Sequence, residues 1–160
     1  MGCDPVIQGF QEDFDRYFDK LKELVEVCPD VLWEKDAGGY LFWQHVFHVL
    51  YYTEVYALPE GLPTEKTRFS REVAALSERP QEHMTKPEAL ALIATMKAVG
   101  DTCMASLSVE DLAKPNLRMT RVYGRPRNTI HGLLALVKHV AYHLGCCDSI
   151  LRQNGLKGVC

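Results

Sequence analysis

His139 and His143 stand one helical turn apart, so on a helix both imidazoles project from the same face. Two neutral imidazoles at this spacing can chelate one divalent cation, a geometry helices use for zinc and related metals. The plainer reading of the pair is a satisfied core histidine beside a surface one. His48, with His45 three residues before it, lies in a second segment that is apolar on nearly every face. A buried imidazole without a partner costs on the order of a few kcal/mol, and a metal shared with His139 and His143 would supply that partner. Three nitrogen ligands leave a coordination position open, which is the arrangement of a catalytic rather than a structural ion. Zinc, nickel, iron and manganese all suit such a set.

The other candidates are placed by the same helical arithmetic. His45 is offset from His48 by about 60°, as a second-shell partner or an alternative ligand would be. His131 precedes His139 by eight residues, about 80° round the helix, and points elsewhere. His83, in a polar connection, reads as solvated. Cys147 follows His143 at i+4 and falls on the ligand face, although Cys146 and Cys147 also read as small buried hydrophobes. No carboxylate lies within a turn of the pair on its face, so no catalytic side chain is assigned. Asp13 or Asp15 could supply one only through the fold.

These residues need helices to position them, and helical periodicity dominates. Ile7, Phe10, Phe14, Tyr17/Phe18, Leu21 and Leu24/Val25 form one stripe, opened by Pro5 and stopped at Cys28-Pro29. After Gly38-Gly39 a second helix is expected from about Tyr40 to Leu58. Its apolar surround predicts the most buried element. The polar stretch from Glu60 to Met84 is long enough for a crossover connection and holds one short helical candidate, Ser70 to Glu78. Thr85-Lys86-Pro87-Glu88 is a capping box that opens a third helix, with Leu92/Ile93, Met96, Val99, Cys103 and Leu107 along one side. Lys114 to Asn128, broken by Pro115, Gly124 and Pro126, reads as a loop. Asn128 or Thr129 caps a last helix that ends near Asn154, with Gly155 as its stop. With no credible strand, the expectation is an all-α four-helix bundle with a long crossover between its second and third helices, as a single domain over residues 1–160.

Composition narrows the function classes. At 160 residues, 47% apolar and 24% charged, the chain is an ordinary globular sequence. A net charge of −3 argues against a nucleic-acid-binding surface, and the cations lack the interleaved aromatics that such surfaces use. No apolar run approaches the ~20 residues of a membrane span, and Met1-Gly2-Cys3-Asp4-Pro5 resembles no signal peptide or lipidation motif, so a cytoplasmic protein is expected. The six cysteines form no CxxC pair and are expected to be reduced thiols.

Phe42-Trp43-Gln44-His45-Val46-Phe47-His48-Val49-Leu50, Lys138-His139-Val140-Ala141-Tyr142-His143-Leu144-Gly145 and Leu151-Arg152-Gln153-Asn154-Gly155 together resemble the DinB/YfiT-like superfamily. The resemblance runs the whole length in helix order and spacing. It implies a four-helix bundle, commonly a homodimer, that holds a divalent metal on one histidine of the second helix and on the HxxxH pair. Position by position, these are His48, His139 and His143. Where members usually carry His-x-Gly-Gln, this chain has His143-Leu144-Gly145-Cys146.

The resemblance further implies a metal-dependent thiol transferase or a hydrolase, using a small-molecule thiol cosubstrate or water. The segment Leu112 to Ile130 holds Lys114, Arg118, Arg121, Arg125 and Arg127 and no acid. It could attract an anionic thiol, or simply be a solvated loop of an acidic domain. The competing expectation is a non-catalytic, stress-related bundle or dimerisation module with structural histidines.

Overall fold

The computed structural model describes residues 4–37, 39–58 and 68–160. Over these the chain is all-α, apart from a two-residue hairpin in which Asp36 pairs with Leu41 and Ala37 with Tyr40. The helices are α1 (Pro5–Val27), α2 (Asp30–Trp33), α3 (Phe42–Ala57), α4 (Arg71–Ala74), α5 (Lys86–Ala105), α6 (Leu117–Tyr123) and α7 (Thr129–Gln153). The four long ones carry the core: α1 and α3 each pack against both α5 and α7. Residue 59 and residues 60–67 of the expected crossover, the N-terminal Met1-Gly2-Cys3 and Gly38 lie outside the described residues. No helix among the described residues is long and apolar enough to cross a membrane.

Local signals account for most helix ends. The Asp4 carboxylate accepts the Val6 N–H at 2.9 Å, and Pro5 follows in the first turn of α1. The expected stripe of α1 is the buried one: Ile7, Phe14, Phe18, Leu21, Leu24 and Val25. The Thr85–Glu88 capping box closes reciprocally at the start of α5. At the start of α7, His131 Nδ1 accepts the Asn128 N–H at 3.0 Å, so His131 is a helix cap turned away from the other histidines. Gly155, at φ +76°, ends that helix, and Arg152 pairs with the buried Asp148 at 2.7 Å. Asp148 in turn accepts the backbone N–H groups of Val159 and Cys160, so the terminal Leu-Arg-Gln-Asn-Gly run stops α7 and clamps the tail onto it.

Four expectations need correction. Tyr40-Leu41 pairs in the hairpin and α3 begins only at Phe42, because the Asp36 carboxylate and Gly39, at φ +92°, close a tight turn. The candidate helix from Ser70 to Glu78 is one turn, α4, since Leu76 adopts φ +58° and the Ser77 N–H turns back to the Glu72 carbonyl. The supposed loop from Lys114 to Asn128 contains α6. Asn116 caps it by accepting the Met119 N–H at 2.9 Å, fully buried Met119 anchors it, and Gly124, at φ +64°, ends it.

The fourth correction concerns which face of α5 is buried. The seam runs through Ala89, Ile93, Met96, Gly100 and Met104, while Leu92, Val99, Cys103 and Leu107 are only partly buried. Gly100 explains the rotation, because a Cβ there would lie 2.2 Å from Phe14 Cζ on α1. The two helices approach closely where the side chain is missing. Gly100→Ala is therefore expected to cost about 1–3 kcal/mol by overpacking, even after its helix-propensity gain of roughly 1 kcal/mol. Urea denaturation reads this directly, and a raised midpoint would show that the Phe14 ring can move aside.

Candidate metal centre

α3 and α7 run antiparallel, with His45 beside His143, and Tyr56 beside His139. At the centre of this contact His48, His139 and His143 converge, each offering one ring nitrogen within 4.8 Å of the others. The His48 and His139 Nε2 atoms are 2.8 Å apart. Two imidazole nitrogens on one ion at about 2.1 Å stand roughly 3.0–3.4 Å apart at octahedral or tetrahedral angles, so a small spreading of the rings would admit a cation.

The tautomer of His48 follows from its second partner. Its Nδ1 lies 2.7 Å from the Ala74 carbonyl, which can only accept, so Nδ1 carries the proton and the Nε2 lone pair faces the cluster. A ligating histidine held by a backbone carbonyl in this way is the usual outer-shell arrangement of metal sites. Between the two facing Nε2 atoms it is then His139 that donates.

Two residues hold that carbonyl in place. Ser70 caps α4 by accepting the Val73 N–H at 3.1 Å. Gln44, 1% exposed, donates from Nε2 to the carbonyls of Val73 and Glu78 and ties α4 to α3. A fully buried glutamine in an apolar helix was the available signal for this role. The Ala74 carbonyl, being backbone, left none.

The environment keeps the cluster neutral. Burial is the main cause that pushes both His139 and His143 down from 6.5 to about 3; the neighbouring histidines lower them further. His48 is lowered as well, mainly by burial, against the opposing effect of the Ala74 carbonyl. Neutral imidazole is the form that ligates, so protons compete weakly for the site. Tyr52 lies against His48, its ring tilted by 47° with centres 4.8 Å apart, and Tyr56 meets His139 edge-on at 5.2 Å. Burial, first of all, raises Tyr56 to about 12 and raises Tyr52 too, so both remain neutral phenols and form a wall of the cluster. Their i+4 and i+8 spacing from His48 is the sequence signal that places them on its face. On the far side of Tyr56 lies an apolar cavity of about 600 Å3 between α3, α5 and α7.

No family model, no curated protein and no solved structure matches the chain.

The remaining candidates fall around the cluster rather than in it. His45 is 8% exposed, its ring centre 6.1 Å from that of His143 and edge-on to Tyr40. His83 is exposed beside Glu34. Cys147 is buried in the core, where desolvation pushes its thiol far up, while Cys146 is half-buried beside His143. The described cysteines, Cys28, Cys103, Cys146, Cys147 and Cys160, are all free thiols.

Asp13 pairs with Arg16 and Asp15 with Lys97, and among the described residues no carboxylate joins the three histidines. In the basic segment, Lys114 pairs with Asp111 at 2.5 Å, an acid just outside the stretch counted as acid-free. Arg118 reaches the Glu54 carbonyl near the end of α3, and Arg127 lies over the Tyr123 ring.

Proposed function

We propose that this chain is a metal-dependent enzyme of the DinB/YfiT-like kind: a four-helix bundle with a crossover between α3 and α5, holding one divalent cation on His48, His139 and His143. The observation that carries this reading is the convergence of three neutral imidazoles, one of them already oriented by the Ala74 carbonyl. Zinc, nickel, iron or manganese would fit the donor set. When bound, such an ion supplies Lewis acidity that activates a water or a low-molecular-weight thiol, the chemistry of a hydrolase or a thiol transferase.

The protein's own share is positional. Gln44 and Ser70 hold α4, whose carbonyl aims His48, and the Tyr52 and Tyr56 rings cover one side of the cluster. The basic run on and after α6, of which Arg118 reaches the C-terminal end of α3, gives that face the charge that would attract a negatively charged thiol as one reactant.

Elemental analysis of untagged protein tests the site. About one divalent ion per chain is expected, and none in a folded His139→Ala/His143→Ala variant. Little or no metal, even after incubation with zinc, nickel and manganese, would overturn the proposal and leave a bundle whose histidines are structural.

A further inference from the structure

On the side of the cluster opposite Tyr56, the start of α3 and the second half of α7 enclose an open cavity of about 730 Å3. His143 belongs to both places: it is a member of the three-histidine cluster and part of the cavity wall. It is only 8% exposed, and its Nδ1 has no hydrogen-bond partner among the described residues. A polar atom that is buried and unsatisfied calls for a partner, and the ring that carries it forms part of the cavity wall.

The rest of the wall says what kind of ligand fits. Four rings line it, arranged in two edge-to-face pairs: Tyr40 against His45 at 5.6 Å and Tyr142 against His143 at 5.0 Å. Cys146 and Gln153 add softer polar groups, and no Asp, Glu, Lys or Arg lines the cavity among the described residues. An ionic group entering here would meet no counter-charge from the wall, and any hydration it shed against the rings would go uncompensated. A flat, uncharged ring would gain offset or edge-on contacts with the aromatic wall. The volume lies within the range of small-molecule sites.

We propose that this cavity binds an uncharged aromatic molecule, placed against His143 as the acceptor substrate. Its role as acceptor rests on the metal-dependent reading above, whereas the binding itself does not. The two ends of the α3–α7 contact then differ in kind. The α6 end carries the arginines, and the Cys146 end takes the neutral partner.

Three probes that share one ring test it: benzamide, benzoate and benzylamine, at equal concentration, with metal-free and metal-loaded protein. Binding is read by ligand-observed NMR and by the rate at which N-ethylmaleimide alkylates Cys146, resolved by peptide mass spectrometry. Benzamide is expected to slow that alkylation about threefold at roughly twice its Kd, by mass action. The two charged probes should leave the rate unchanged. Cys146→Phe, which fills the cavity, should remove the benzamide signal. If that variant does not fold, Tyr142→Ala, at a side chain 66% exposed, should weaken it instead.

Equal protection by all three probes, or benzamide binding that survives both variants, would overturn the inference. Metal-free protein that binds no ion yet still selects benzamide would sink the metal reading and keep this one. Metal-loaded protein that does not distinguish the probes would do the reverse.

Discussion

Between pH 6.5 and about pH 5, the metal-free protein is expected to lose roughly 2–4 kcal/mol of folding stability through His139 and His143. Each ring has a folded pKa of about 3 against 6.5 when unfolded, so below 6.5 the unfolded chain binds protons that the folded chain refuses. Stability present above 6.5 is therefore lost as the pH falls towards about 3. The unfolded rings are half protonated at 6.5 and almost fully so at 5, so the two together give about 3 kcal/mol over this window, and the range allows for residual solvent contact and coupling between the rings.

Urea denaturation in the presence of a chelator, at neutral pH and near pH 5, measures the loss. The His139→Ala/His143→Ala variant should show a flatter pH profile, because those rings no longer resist protonation. Saturating zinc should restore stability to the wild type alone, by about 2.7 kcal/mol at a hundred times its Kd. Parallel pH profiles for the two proteins would mean that the rings are not held neutral by the fold.

The second large effect separates His48 from His45. Only His48 places a nitrogen in the cluster, so His48→Ala should lower metal affinity by more than the roughly 10–100-fold typical of an outer-shell change. His45→Ala should cost no more than about tenfold, since its ring stands one neighbour away, behind His143. Gln44→Leu, which releases the carbonyls of Val73 in α4 and of Glu78 just after it, falls between them at about 10–100-fold. Competition against a chromophoric chelator gives all three values. A His45→Ala variant as damaged as His48→Ala would place the ligand set elsewhere on α3.

What was legible in the residues was local. The stripe of α1 and the capping box of α5 rest on contacts three or four residues apart, and both are present in the fold. Elements whose signals were short or contradictory were missed. α6 is seven residues long with one deep anchor, Met119, and it sits among the proline, glycine and arginine residues that ordinarily mark a loop. The α5 face was misjudged because its seam uses Ala89 and Gly100, and hydrophobic patterning gives no weight to a side chain that is missing.

The site divides along the same line. The residue order alone determined that His139 and His143 share a face, since helix geometry fixes side-chain direction at i and i+4. It also placed His48 in an apolar helix, where an imidazole must find a partner. Only the tertiary structure decided that His48 rather than His45 meets the pair, because a rotation of about 60° about α3 selects between them and packing against α7 sets that rotation. Only it could supply the Ala74 carbonyl, a backbone group present at every residue and made particular by the fold that carries α4 back onto α3.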